Sequence, residues 1–303
     1  MENKIIPVVF STDDNYVIPL CVAIQSIKNT LEQGVTAKIF IFNSGLKEEN
    51  KQTIKSLASD NICIEFVDIT KYLDGFNMYV GGSITVATYY RFFAPLVLKN
   101  YPKIIYLDCD LILNRSISQL YDLDLEDNIL IGVQDYINYN GYINAGVLCI
   151  NVKKFLEENV CEKCIDYINA NRNLKYFDQD ALNYVCKGKI KLVSQKYNFR
   201  TKSDWKVKDV KNSFKAFEIP GIKDVVVIHY AALRKPWINV NCPLKHLWKK
   251  VAKTLPANIY GELKYYCKTV KRPWDIQVLE SKKLTSRLKN FFQKVKCKLN
   301  KNK

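Results

Sequence analysis

Along the first 230 residues the hydrophobic pattern keeps switching between the two-residue period of strands and the longer period of helices. Short apolar, β-rich runs occur at Ile5–Phe10, Ala37–Phe42, Ile62–Val67, Lys103–Leu107 and Ile129–Val133. Their length and bounding turn residues predict strands. Val17–Leu31, Lys47–Ser59 and Thr88–Leu98 carry helical patterns, the second after the strand-ending Asn43-Ser44-Gly45. Further strands are predicted at Val147–Asn151, Lys189–Ser194 and Val225–His229, and a helix over Lys153–Asn171. Residues 202–224 read as a polar excursion between elements. Strands alternating with helices predict an α/β layered fold, and no internal repeat or long linker interrupts it.

After Pro243 the pattern becomes one of basic helices with aromatic residues. Leu284, Leu288, Phe291, Phe292, Val295 and Leu299 fall on one helical face, with Lys282, Lys283, Arg287, Lys289, Lys294, Lys296 and Lys298 around it. Such a cationic amphipathic helix suits an anionic membrane surface, the alternative being a helix packed on the body with a solvated basic face. A catalytic region over 1–242 followed by a basic helical region over 243–303 is therefore the expected organisation.

Composition sharpens this division. The chain has 303 residues, 46 Lys+Arg against 30 Asp+Glu, and a formal charge of +16. Residues 243–303 hold 17 of the basic and 3 of the acidic residues, so the body carries a net charge of only +2. A near-neutral body argues against nucleic acid as the partner. With 48% hydrophobic residues the chain can bury a real core, and with two histidines it cannot build a His-rich metal cluster. No signal peptide or apolar run long enough to span a bilayer is evident, and ten scattered cysteines fit a cytosolic protein with reduced thiols. Cys161-x-x-Cys164, without a second pair nearby, reads as packing in a helix.

Four segments carry candidate chemistry. Ile104–Leu107 runs into Asp108-Cys109-Asp110, which places two carboxylates on one side of an extended chain at a strand's carboxyl end. Their oxygens suit Mg²⁺ or Mn²⁺ and, through the ion, a diphosphate; a loop-start or capping pair is the competing reading. Val225–Ile228 ends in His229, which is either a strand-end histidine or a third ligand favouring Mn²⁺; Lys235 follows within reach of a phosphate. Ser11-Thr12-Asp13-Asp14-Asn15-Tyr16 ends the first strand with backbone N–H groups, a carboxylate and a ring, but has no glycine and matches no phosphate loop. It is equally readable as a helix cap. Phe177-Asp178-Gln179-Asp180 precedes a helical run, where Asp178 could serve as a cap.

Taken in order, these segments resemble glycosyltransferase family 8, especially its bacterial lipooligosaccharide galactosyltransferase and lipopolysaccharide glucosyltransferase branch. The resemblance spans Val8 to about Trp248. It rests on Ser11–Tyr16, Thr88-x-x-Arg91, Tyr106–Asp110, Asn144-Ala145-Gly146-Val147, Asp178-Gln179-Asp180, and His229-Tyr230 with Lys235-Pro236-Trp237. It implies a GT-A-type fold with a mixed, mostly parallel central sheet, and retaining, Mn²⁺-dependent transfer of galactose or glucose from a UDP-sugar, Mg²⁺ being the alternative ion. By position it implies Asp108, Asp110 and His229 as metal ligands. The donor would be held by Thr12, Asp13, Asn15, Tyr16, Arg91, Asp108, Cys109, Asn144, Ala145, Asp178, Gln179, Ala232 and Lys235. Gln179 and Asp178 would lie at the reacting carbon and Asp135 near the acceptor.

The acceptor implied is a lipooligosaccharide, lipopolysaccharide or other surface glycan, met by an enzyme peripheral to the inner face of the cytoplasmic membrane. Two departures from the family pattern stand out. Ala232 occupies a place usually held by glycine, and the stretch between Asp135 and Asn144 is short. The sequence leaves the hexose, acceptor, linkage and oligomeric state open. A nucleotidyltransferase, releasing pyrophosphate rather than UDP, is the rival enzyme reading. A nucleic-acid-binding module using the tail is the rival outside enzymes. Truncation after Cys242 is expected to release the protein from anionic vesicles with turnover in solution intact.

Overall fold

The computed structural model describes residues 3–73, 86–136, 140–171, 173–201, 207–231, 234–238 and 242–270. The first half runs β1 (Lys4–Ser11), α1 (Val17–Thr30), β2 (Val35–Asn43), α2 (Glu48–Lys55), β3 (Ile62–Asp68), α3 (Thr70–Leu73), α4 (Tyr90–Val97), β4 (Lys103–Leu107) and β5 (Leu111–Leu113). Next come α5 (Ser118–Tyr121), β6 (Leu130–Gln134), β7 (Ile143–Asn151), α6 (Val152–Glu157), α7 (Val160–Ala170), α8 (Phe177–Val185) and β8 (Ile190–Val193). The described chain ends with β9 (Phe199–Arg200), α9 (Val207–Ala216), β10 (Val227–His229), α10 (Lys245–Ala252) and α11 (Ala257–Thr269).

Seven strands form one sheet in the order β3-β2-β1-β4-β7-β6-β8. β7 runs antiparallel to both β4 and β6, and the other pairings are parallel. Helices cover both faces, so strands such as β1 are buried on both sides and read as near-continuous apolar runs. Ile6, Val8 and Phe10 face one core with α1, while Val9 faces the other with Phe92, Tyr106 and Phe155. A second, three-stranded sheet has the order β5-β10-β9. It pairs His229 with Leu111, and thereby draws the end of β10 to Asp110.

Several predicted elements need correction. The helix expected over Lys153–Asn171 is two helices, α6 and α7, because Asn159 takes a left-handed backbone (φ 50°) between them. The polar excursion over 202–224 contains α9, whose Val210 and Phe214, with Phe217 just beyond its end, are spaced along one face and pack on the core. β7 starts at Ile143 rather than Val147, so Asn144, Ala145 and Gly146 lie within a buried strand. Of the basic region, α10 and α11 pack on α1 and bury Trp248, Ala252, Leu255, Ile259 and Leu263 in the same core. The amphipathic pattern over 284–299 lies outside the described residues.

Candidate active site

β1 and β4 are adjacent and parallel, with Phe10 opposite Leu107, so their carboxyl ends open side by side. On one side of this opening β2 continues parallel to β1; on the other, β7 arrives antiparallel with Leu107 opposite Val147. A strand-order switch of this kind leaves a crevice beyond the strand ends. A cavity of about 540 Å³ occupies it, lined by the 11–16 turn, Arg91, Asp108–Asp110, Asn144–Gly146, Lys175–Tyr176 and Asp178–Gln179, among others.

At its base Asp108, Asp110 and His229 bring one ligand atom each within 4.8 Å of one another. His229 Nε2 lies 2.9 Å from Asp110 Oδ1 and 3.7 Å from Asp108 Oδ2. The approach depends on Gly146: a Cβ there would fall 2.3 Å from His229 Cε1 and 2.4 Å from Asp108 Oδ2. The opposite side of the ring is engaged, His229 Nδ1 lying 2.9 Å from Asn198 Oδ1. Two carboxylates and an imidazole converging beside a residue that must lack a side chain fit a divalent cation of the Mn²⁺ or Mg²⁺ type. Among the described residues this is the one such group of His, Cys, Asp and Glu.

Cationic side chains surround the trio. Lys235 Nζ donates to Asp110 Oδ2 and, at 2.8 Å, to the Tyr230 carbonyl. Burial works to raise the Asp110 carboxyl, but the charge of Lys235 and next the electrostatic pull of His229 outweigh it and hold it well below the usual carboxylate range. Burial likewise opposes the Lys235 charge, and Asp110 more than offsets it, raising that ammonium. Arg91 spans the cavity floor. Its Nη2 is 3.0 Å from Asp108, its Nε 3.1 Å from Asp178, and its Nη1 donates to the Ala145 carbonyl at 2.6 Å. The guanidinium also lies 4.4 Å from the Tyr106 ring centroid.

Asp178 is not a helix cap. The cap position belongs to Tyr176, and Phe177 enters α8 with φ 34°, so Asp178 sits in the first turn and meets Arg91. Burial first, and Asp108 next among the raising causes, push its carboxyl up to about 6 against the pull of Arg91. Gln179 Oε1 accepts from Asn144 Nδ2 (2.8 Å) and the Ala145 N–H (3.1 Å), while its Nε2 donates to Asp135 Oδ2 (3.2 Å). Asp135 lies behind Gln179, 2% exposed, with Arg200 Nη2 at 2.7 Å from its other oxygen. Burial keeps the Cys109 thiol protonated, and its sulfur donates to the Ser11 carbonyl.

On the opposite wall, Asp13 caps a short 3₁₀ turn, accepting from the Asn15 N–H at 2.9 Å, and still lines the cavity with Thr12 and Tyr16. Capping and cavity-lining thus coexist in Asp13. Tyr16 is 38% exposed and meets Trp237 edge-on at 6.0 Å, with Trp248 behind. Asn15 sits on the rim, its carbonyl accepting from the Tyr266 hydroxyl. Ala232 lies outside the described residues. Sequence reading missed Asn198, Arg200 and Tyr266, which belong to no strand-end motif; only the fold puts them here.

Comparison with known proteins identifies the family and the fold. The sequence pattern of glycosyl transferase family 8 matches residues 7–241. The chain is 31% identical over 93% of its length to a Haemophilus influenzae protein named, provisionally, as a glycosyltransferase, covering 88% of that protein. It is 24% identical over 76% of its length to the lipopolysaccharide 1,3-galactosyltransferase of Salmonella typhimurium, covering 72% of it. Among solved structures, the galactosyltransferase LgtC, crystallised with donor and acceptor sugar analogues, superposes with a TM-score of 0.67 at 24% identity, over 84% of this chain and 99% of LgtC. The bifunctional glycosyltransferase WbbM superposes with a TM-score of 0.74 at 21% identity over 87% of this chain, which spans about half (52%) of it. The fold is of the GT-A type.

Proposed function

The chain belongs to glycosyl transferase family 8 and is a glycosyltransferase, and on that footing we propose that it moves galactose or glucose from a UDP-sugar to a lipooligosaccharide, lipopolysaccharide or other surface glycan, with retention at the anomeric carbon. The observation that carries this reading is the convergence of Asp108, Asp110 and His229 beneath a cavity whose other wall is the Asp13–Tyr16 turn. A cavity bounded by the trio on one side and the turn on the other suits a nucleotide with its diphosphate directed at the trio.

Each side chain then has a task its surroundings support. Tyr16 offers a ring face to the uracil, with Thr12, Asp13 and Asn15 alongside it. Asp108, Asp110 and His229 would hold Mn²⁺, or Mg²⁺. A cation bound there supplies positive charge where the leaving diphosphate gains negative charge. Lys235, held within the same group, adds an ammonium that is charged at neutral pH. Arg91, Asn144 and Asp178 present donors and an acceptor to the sugar hydroxyls, with Cys109 and Ala145 packing beside the donor.

Retention needs either a nucleophile below the anomeric carbon or attack on the face the leaving group departs from. Both acceptor sites of the Gln179 oxygen are engaged, by Asn144 and the Ala145 N–H. An amide so engaged is a poor nucleophile. The acceptor oxygen therefore attacks the same face as the C–O bond to UDP breaks, and the departing phosphate takes its proton. Asp135, behind Gln179, holds that amide in place on the acceptor side.

Residues 271–303 carry 11 Lys+Arg against Asp275 and Glu280, which suits attachment to the anionic inner face of the cytoplasmic membrane. Among the described residues no helix is long and apolar enough to cross a membrane.

The deciding experiment is a panel of UDP-sugars with Mn²⁺, read as UDP release without acceptor. UDP-galactose or UDP-glucose turnover above the rest is expected. Pyrophosphate release, or no turnover of any UDP-sugar, would overturn the reading.

A further inference from the structure

We propose that Asn198 is a positioning residue that fixes the tautomer of His229, so that Nε2 offers its lone pair to the cation taken up beside Asp108 and Asp110. The inference rests on the metal-site reading of that trio.

Asn198 is fully buried, lies immediately before β9 and does not line the cavity. It nonetheless forms one link in a line of side-chain amides crossing the site. Gln179 Nε2 reaches Asp135 Oδ2 at 3.2 Å, Asn144 Nδ2 reaches Gln179 Oε1 at 2.8 Å, and Asn198 Nδ2 reaches Asn144 Oδ1 at 2.9 Å. Asn198 Oδ1 is left facing His229 Nδ1 at 2.9 Å.

The direction of this line is determined at three points. The Ala145 N–H points at Gln179 from 3.1 Å, and a backbone N–H requires an acceptor, so the atom there is oxygen. The Gly146 N–H does the same for Asn144 at 3.2 Å. The far end is a carboxylate, with Arg200 on its other oxygen, and it receives the Gln179 amino group. With Asn144 presenting oxygen, Asn198 must turn its amino group that way and its own oxygen toward the histidine. Reversing one amide would set donor against donor or acceptor against acceptor among buried side chains. His229 Nδ1 therefore carries hydrogen, and Nε2 is the nitrogen left for a metal on the carboxylate side.

A metal-ligating histidine is oriented by the partner of its other nitrogen, and losing that partner lowers metal affinity about 10–100-fold. Asn198 supplies the partner here, and the amide line ties its orientation to Asp135, on the acceptor side of the site.

The test is Mn²⁺ binding to the purified full chain without donor, read from the free-ion electron paramagnetic resonance signal. Asn198→Leu removes the acceptor, whereas Asn198→Asp loses the link to Asn144 but keeps an oxygen for Nδ1. Binding about 10–100-fold weaker in Asn198→Leu, and near the wild-type level in Asn198→Asp, is expected. Equal losses in the two variants, or no loss in either, would overturn the inference. Asp110→Ala separates this from the reading beneath it: wild type binding no better than Asp110→Ala would remove the metal site itself. A second measurement needs no Asn198 variant. In the Mg²⁺-loaded chain, ¹⁵N resonances of His229, told from the second histidine by His246→Gln, should show hydrogen on Nδ1. Hydrogen on Nε2 would refute the proposal.

Discussion

Tyr266, in α11, donates its hydroxyl hydrogen to the backbone carbonyl of Asn15 at 2.8 Å, across 251 positions of sequence. The same turn is braced from α10, where Trp248 packs on Trp237 and Trp237 meets Tyr16. The helices that begin the basic region thus support the wall of the cavity as well as the core.

Truncation after Cys242 is therefore expected to abolish UDP release in solution, contrary to the expectation from charge pattern alone. It would remove Trp248, Leu255, Ile259 and Leu263, all nearly inaccessible. At about 1.5–3 kcal/mol for each buried apolar side chain, the loss is comparable to the ~5–15 kcal/mol that keeps a domain folded. Thermal unfolding of the truncated chain should show no cooperative transition.

A cut after Val270 tests the membrane address instead. It leaves α10 and α11 in place and removes a net charge of +9. Co-sedimentation with phosphatidylserine vesicles should fall while UDP release in solution persists. Retention on the vesicles would place the attachment elsewhere.

Tyr266→Phe deletes one hydrogen bond and little else. A loss of about 0.5–1.5 kcal/mol in stability is expected, together with a higher KM for the donor and a smaller change in kcat. An unchanged KM would show that the turn holds its shape without the hydroxyl.

Gly146→Ala should be as damaging as removal of a ligand. The added methyl would displace His229 or Asp108, and cation affinity should fall on the order of 10–100-fold. Asp110→Ala should abolish Mn²⁺-dependent turnover. Mn²⁺ titrations of UDP release on both variants provide the check.

Asp178 gives the fold a distinctive pH response. Its carboxyl is raised to about 6 in the folded chain, against about 4 when unfolded. Between those values the folded state holds a proton that the unfolded chain has released, so this contribution to stability diminishes as pH rises through the window. Its size is on the order of 2–3 kcal/mol. Asp110 has the opposite sign: its contribution, present above about pH 4, is lost as pH falls further. Melting temperatures from pH 4 to 7, without divalent cation, should decline less steeply for Asp178→Asn than for wild type.

The strands were legible because β1, β2 and β4 are buried on both faces, leaving apolar runs bounded by polar turns, while the edge strand β3 alternates buried Ile62 and Ile64 with exposed Cys63 and Glu65. The pairing of Asp108 with Asp110 was legible for the same reason, both lying where such a run stops. α9 was missed although Val210, Phe214 and Phe217 carry a helical stripe, because Lys208, Asp209, Lys211, Asn212, Ser213 and Lys215 around them dominate the segment's composition. β9 has two residues and leaves no periodic trace. Asn198 could not have been found from the chain alone: its partners are 31 and 54 positions away and meet it only when β10 is seated between β5 and β9.

The ligand trio also bridges the two sheets. Asp108 follows β4 of the seven-stranded sheet, whereas Asp110 precedes β5 and His229 ends β10 in the three-stranded one. An ion held by all three would fasten one sheet to the other, and its binding energy would resist their separation. Loading should then protect amides in both sheets against hydrogen exchange, and a hundredfold excess over Kd would add about 2.7 kcal/mol to stability. The cation would be a structural tie between sheets as much as a participant in the chemistry.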